Sequence, residues 1–185
     1  MYNKRYFDTI EKAEQVQAET LAEILTEMYN PGSVADVGCA TGIYLWPFHI
    51  NGVETIGFDS ADYAVENKVV PTVQKADITN YLLTKKYDLA ICFEVVEHIE
   101  NDLGGGVIQN LVNMTDTIIF SAAQPGQKGT DHINCKPKKH WEMLFKVRGY
   151  EKDVQAEKKI LDHVTKQDHA EWFKNNLQVF RKVQP

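Results

Sequence analysis

One segment restricts the fold of this chain more than any other. Val34-Ala35-Asp36-Val37 runs straight into Gly38-Cys39-Ala40-Thr41-Gly42, an apolar strand followed by a glycine-containing turn that opens a helix. Small residues in such a turn let a ligand approach the backbone, and the helix amino terminus offers N–H groups. The dinucleotide fingerprint asks for Gly-x-Gly-x-x-Gly, whereas Ala40 stands between Gly38 and Gly42, which weakens a nicotinamide reading. A P-loop also fails, because no Gly-Lys-Ser/Thr closes a strand-to-helix loop. A nucleoside without phosphates suits the loop better. The next apolar run, Val53–Phe58, ends in Asp59, 21 residues after Gly38. A carboxylate there is placed to accept hydrogen bonds from both ribose hydroxyls. It is equally placed to cap a helix beginning near Ala61.

The rest of the chain extends this pattern. Apolar residues from Thr9 to Met28 recur at helical spacing until Asn30-Pro31-Gly32, which predicts an N-terminal helix over about residues 9–29, on or capping the core. Val34–Val37, Val53–Phe58, Val69–Val73, Tyr87–Phe93 and Thr117–Phe120 read as strands alternating with helices, the signature of a parallel sheet covered on both faces. Tyr150–Val154 and Leu177–Val183 read as two further strands around a polar helix at Ala156–Lys174, a hairpin-like antiparallel edge. At 185 residues, one domain over 1–185 is expected.

Charge narrows the partners. Residues 1–100 carry 16 acidic and 7 basic side chains, residues 101–185 carry 10 and 13, and the net charge is −6. Without a sustained basic stripe, a nucleic-acid partner is disfavoured. Cys39, Cys92 and Cys135 are odd in number and lack CxxC spacing, so neither a disulfide framework nor a four-cysteine zinc site is indicated. No apolar run is long enough for a membrane span and the amino terminus is charged, which makes the cytoplasm the expected location.

Asp36-Val37-Gly38-Cys39-Ala40-Thr41-Gly42, Asp59, Ala76-Asp77-Ile78 and Tyr87 through His98 stand in the order and spacing of a known family. Residues 33–121 resemble the class I S-adenosylmethionine-dependent methyltransferases, in particular the small-molecule O-methyltransferase type. The resemblance implies a Rossmann-like seven-stranded sheet ordered 3-2-1-4-5-7-6 with its last strand antiparallel. It also implies that Asp36, Gly38, Cys39 and Gly42 hold the methionine end of S-adenosylmethionine, that Asp59 with Ser60 holds the ribose, that Asp77 and Ile78 meet the adenine, and that Phe93 and Glu94 line the reacting face.

Methyl transfer to a hydroxyl needs alignment and a way to remove a proton. His132 and His98 are the candidate catalytic residues. Glu94-x-x-Glu97-His98 is similar to the Glu-x-x-Glu-His motif of the small-RNA 3′-terminal 2′-O-methyltransferases, where these residues and a later histidine bind a divalent ion. That resemblance implies a cation site at Glu94, Glu97, His98 and His132, whereas the same letters in quinone and sugar O-methyltransferases occur without metal and leave structural hydrogen bonds as the alternative. Ser121–Lys136 reads as an active-site loop. Asn/Asp-Pro-Pro-Tyr/Phe and Pro-Cys motifs are both absent, which disfavours DNA-base methylation. The expected acceptor is a small molecule, a sugar or a glycan end, and a homodimer is compatible with the minimal size. The competing readings are a cofactor-binding module without turnover, metal-dependent 2′-O-methylation of RNA ends, and a nicotinamide-dependent oxidoreductase with a degenerate loop.

Overall fold

The computed structural model describes residues 4–80, 85–164 and 171–184, with side chains from residue 14 onward except 171 and 172. Seven strands form one sheet: β1 (Ser33–Val37), β2 (Glu54–Asp59), β3 (Val73–Lys75), β4 (Leu89–Phe93), β5 (Thr117–Ser121), β6 (Tyr150–Lys152) and β7 (Gln178–Lys182). Their spatial order is β3-β2-β1-β4-β5-β7-β6. The first five are parallel, and β7 runs antiparallel to both β5 and β6. This is the seven-stranded order expected from the sequence.

Every residue of β4 and β5 is buried, as befits central parallel strands covered on two faces. Alternation then sorts their side chains. Leu89, Ile91 and Phe93 join a core with α1 (Lys4–Tyr29), α2 (Trp46–Ile50), α6 (Val154–Val164) and α7 (Glu171–Asn176). Ala90 and Cys92 point the other way, into a core with α4 (Gly104–Met114) and α5 (Lys138–Lys146). On that side Phe120, Phe145 and Phe180 form an aromatic cluster, with the Phe145 and Phe180 rings stacked 4.0 Å apart.

The helix expected at 9–29 runs from Lys4 to Tyr29 and buries Ala18, Leu21, Ala22, Ile24 and Leu25. It stops at Asn30, which adopts a left-handed φ of 43° and donates its N–H to the Thr26 carbonyl, with Pro31 behind it. The expected strand Val69–Val73 is shifted, and β3 begins only at Val73. Pro71 lacks a donor, and the Val69 N–H is spent on the Thr41 carbonyl of the glycine turn. The strand expected over Tyr150–Val154 ends at Lys152 because Asp153 caps α6, accepting the Ala156 N–H at 2.9 Å. The helix expected over Ala156–Lys174 corresponds to α6 and α7, and the part between them, 165–170, lies outside the described residues.

The connection β1–α2–β2 leaves the sheet on one side of β1, whereas β4 adjoins β1 on the other. The carboxyl ends of β1 and β4 therefore flank a topological switch point, where α/β sheets open a crevice for ligands. The turn that follows β1 is clamped: the Phe58 carbonyl accepts the N–H groups of Gly38 and Cys39 at 2.8 and 3.1 Å. Gly38 has φ +79°, and a Cβ there would lie 2.3 Å from Val95 Cγ2. The glycine is thus required first by the approach of Val95, not only by the approach of a ligand. Gly38→Ala is expected to destabilise the protein by about 2–4 kcal/mol, combining left-handed strain with the clash. Adding Val95→Ala should recover the steric part only, and thermal unfolding of the two single variants and the double variant measures it.

Candidate active site

A cavity of about 250 Å³ opens at this switch point. Of the residues expected to hold a cofactor, Asp36, Gly38, Cys39, Asp59, Ser60, Asp77, Ile78, Phe93 and Glu94 all face it. Gly42 is not on its described wall. That glycine, at φ +91°, instead shapes the turn: its N–H donates to Cys39 and its carbonyl accepts the N–H groups of Leu45 and Trp46 at the start of α2. A Cβ on it would meet Val73 at 2.9 Å.

Asp59 acts as the cap its position suggested. One carboxylate oxygen accepts the Ala40 N–H and the other the Ala61 N–H, each at 2.8 Å, so the side chain ties the glycine turn to the start of α3 (Asp62–Glu66). It also stands on the cavity wall. Burial raises its pKa, opposed by the backbone N–H groups of Ala61, Ala40 and Ser60. Asp77 is differently placed. Its exposed carboxylate accepts the Thr79 hydroxyl and N–H and the Asn80 amide, which lowers its pKa and makes it a cap of the following turn as well as a wall residue.

Asp36 is 2% exposed, and burial, then Asp59 and Glu14, hold its carboxyl well above the usual carboxylate range. Glu14 of α1 also faces the cavity, although nothing in the local sequence singles it out. Across the cavity, Phe93 makes edge-on contacts with Tyr44 at 5.0 Å and Phe173 at 5.5 Å, forming an aromatic wall.

The four residues expected to bind a cation do not converge as one group. Glu97, His98 and His132 each offer a ligand atom, and these atoms lie within 4.8 Å of one another. Glu94, at φ 52°, is not in that group: it touches the Glu97 carboxyl, but its carboxylate is held by the Asn176 amide at 3.0 and 3.1 Å and by Gln127 at 2.9 Å. The same Asn176 amide reaches Gln127 Oε1 at 2.8 Å, and Gln124 donates to Asn176 Oδ1 at 3.2 Å. Asn176, 1% exposed at the end of α7, therefore closes the 121–136 loop onto the reacting face. No sequence motif marks it, because its partners come from three distant segments.

Glu97 is fully buried. One oxygen accepts the Ala123 N–H at 3.0 Å, the carboxyl is also hydrogen-bonded to that of Glu94, and burial together with Glu94 pushes its pKa up to about 8. The His98 and His132 rings meet edge-on at 5.0 Å. His98 Nδ1 faces the Asp131 carbonyl and His132 Nδ1 faces the Gln127 carbonyl, both at 3.2 Å. A carbonyl accepts, so Nδ1 carries the proton and Nε2 the lone pair in each neutral ring. His98 lies on the cavity wall, whereas His132 and Glu97 sit behind it. Burial lowers the His98 pKa, so this ring is neutral at pH 7.

Removing Asp59 should act twice. Asp59→Ala leaves the Ala40 and Ala61 N–H groups without their acceptor, which is expected to cost about 1–3 kcal/mol of stability. A ligand held by the turn should bind at least about 10-fold more weakly, equivalent to about 1.4 kcal/mol. Chemical denaturation and S-adenosylhomocysteine titration of the folded variant check the two effects separately, and unchanged affinity would mean that Asp59 is a cap alone.

Comparison with known proteins places these features. A family model described as a methyltransferase domain matches residues 10–114. A ubiquinone biosynthesis O-methyltransferase of Rickettsia felis is 30% identical over 106 residues, covering 51% of this chain and 43% of its own length. Its counterpart from Rickettsia canadensis is 32% identical over 97 residues, 46% of this chain and 41% of its own. The match thus spans less than half the length of these curated relatives. Among solved structures, an amino-pentose methyltransferase from Micromonospora echinaspora with S-adenosylmethionine bound superimposes with a TM-score of 0.72 at 12% identity, covering 99% of this chain and 98% of the other. A magnesium protoporphyrin IX methyltransferase from Synechocystis with bound S-adenosylhomocysteine gives 0.67 at 18% identity, covering 100% and 89%. With the clamped glycine turn, the Asp59 position and the strand order already in place, the chain belongs to the methyltransferase-domain family and has the class I S-adenosylmethionine-dependent methyltransferase fold.

Proposed function

We propose that this protein transfers the methyl group of S-adenosylmethionine to a hydroxyl oxygen of a small molecule, a sugar or a glycan end. One observation carries the choice of cofactor: the described wall of the cavity holds five carboxylates, on Glu14, Asp36, Asp59, Asp77 and Glu94, and no lysine or arginine. Asp77 is exposed, but the other four are buried or half-buried, and carboxyls so withdrawn from water without a cation on the described wall favour a ligand that brings positive charge. S-adenosylmethionine brings a sulfonium and an ammonium, whereas a nicotinamide dinucleotide brings a diphosphate that such a wall repels. The residues present therefore fit the cofactor, which supplies an activated methyl group.

On this reading Gly38, Cys39 and Asp36 hold the methionine end, Asp59 and Ser60 the ribose, and Asp77 and Ile78 the adenine. Phe93 and Tyr44 give the reacting end an apolar wall that excludes water. Neutral His98 sits at the rim between that wall and the 121–136 loop, placed to receive the acceptor proton, with His132 5.0 Å behind it. The O-methyltransferase relatives support oxygen as the acceptor atom. Calorimetric titration tests the cofactor: S-adenosylhomocysteine is expected to bind at least about 100-fold more tightly than NAD, a gap of about 2.7 kcal/mol. Tighter binding of NAD would overturn the reading, and isotope-labelled S-adenosylmethionine with a panel of phenols and sugars tests the acceptor.

A second reading adds a divalent ion at Glu97, His98 and His132. It is favoured by the convergence of the Glu97, His98 and His132 ligand atoms within 4.8 Å of one another and by the two backbone carbonyls facing Nδ1, which put the lone pair of each neutral ring on Nε2. One carboxylate and two imidazoles suit Mn²⁺ or Fe²⁺, and an ion there would lower the pKa of an acceptor hydroxyl. Mn²⁺ titration followed by electron paramagnetic resonance should show one site that His132→Ala abolishes. Binding that survives this substitution would leave the three residues as a structural hydrogen-bonding group.

A further inference from the structure

Among the described residues of α1, Glu14 alone faces the cavity, and its setting is built rather than incidental. Gln17, one turn along the helix and 2% exposed, donates its amide to the Tyr44 hydroxyl at 2.7 Å. That leaves the phenolic proton of Tyr44 to donate to Glu14, with which it is hydrogen-bonded. A buried Gln–Tyr pair, joining α1 to the turn after β1, thus orients a carboxyl toward the space in front of Phe93.

Among the described residues, the charged groups found to act on Glu14 are all acidic. Asp36 at the end of β1 and Glu94 after β4 both act on it electrostatically, and Tyr44 approaches from the turn. On α6, which packs on α1, Lys159 pairs with Glu27 and His163 faces Glu23. On α2, His49 is directed to Thr55. Withdrawal from water, partly offset by Tyr44, raises the Glu14 pKa to about 7.

We propose that Glu14, oriented by Tyr44 and Gln17, is a binding residue for the positively charged methionine end of the cofactor. This rests on the cofactor reading above and extends it: the N-terminal helix supplies a ligand group from outside the glycine turn. The free protein near neutral pH holds a proton on Glu14 in part of its population. A cation arriving beside the carboxyl favours the ionised form, so binding releases that proton to solvent. The sign of the pH dependence follows: cofactor affinity rises as pH rises toward and through about 7, where the carboxylate no longer has to be ionised at the expense of binding.

The test is calorimetric titration of the full chain with S-adenosylmethionine and with S-adenosylhomocysteine, in two buffers of different ionisation enthalpy, between about pH 5.5 and 7.5. Glu14→Gln preserves an acceptor for the Tyr44 hydroxyl and should unfold at nearly the wild-type temperature. It is expected to bind the cofactor about 10-fold more weakly than wild type at the upper pH, to release fewer protons, and to lose much of the rise in affinity with pH. A loss confined to S-adenosylmethionine puts the contact at the sulfonium; an equal loss for both ligands puts it at the ammonium. Wild-type affinity and proton release in Glu14→Gln overturn the proposal while leaving the cofactor reading intact. Failure of the wild-type protein to bind either ligand overturns the cofactor reading and the proposal with it.

Discussion

The site is organised around carboxylates withdrawn from water without an internal counter-cation. Asp36 and Asp59 end neighbouring strands β1 and β2, and Glu94 follows β4, so parallel pairing alone brings three of them to one edge of the sheet. Their solutions differ. Asp59 is satisfied by backbone N–H groups and Glu94 by the amides of Gln127 and Asn176, whereas burial holds the Asp36 carboxyl well above the usual carboxylate range. A cationic ligand is the remaining way to compensate such charges, which links the electrostatics of the fold to the chemistry of a sulfonium.

The glycine turn is held by more than its glycines. Phe58, Asp59 and Val69 bond its backbone, Val95 covers Gly38, and Val73 abuts Gly42. Cys39 packs so closely on β2 that a Cβ on Gly57 would lie 2.6 Å from its sulfur. The anchors come from the end of β2, the approach to β3 and the segment after β4, so the turn is held by the neighbouring strands of the sheet. The reacting face has a second anchorage at the far end of the chain, where Asn176 joins α7, the 121–136 loop and Glu94. The far end of the loop is tied separately, by the Ile133 and Asn134 N–H groups on the Glu97 carbonyl.

The alternation of apolar runs with helices and the covering of β4 and β5 on both faces were legible in the sequence as local patterns, whereas the strand order and the nine cofactor candidates that face the cavity came from the family resemblance. The shift of β3 to Val73 was not, since Val69 looks like any strand valine until its N–H is seen on Thr41. Gly42 is a case where the residue type was informative and the role was not: the turn needs it, but the cavity does not touch it. The motif letters of Glu94, Glu97 and His98 suggested one group, yet the backbone turns at Glu94 and sends its carboxylate to Asn176 while Glu97 goes inward.

By itself the amino-acid sequence determined the class of fold, because alternation of apolar runs and a strand-to-glycine turn are properties of neighbouring residues, and the resemblance of its spaced motifs to a known family implied the ligand. Only the tertiary structure decided which carboxyls share a cavity, that Glu14 and Tyr44 belong to it, that Glu94 leaves the histidines, and that Asn176 closes the loop. Those relations join residues tens of positions apart, and burial and hydrogen bonding act through distance in space, which the order of residues along the chain does not record.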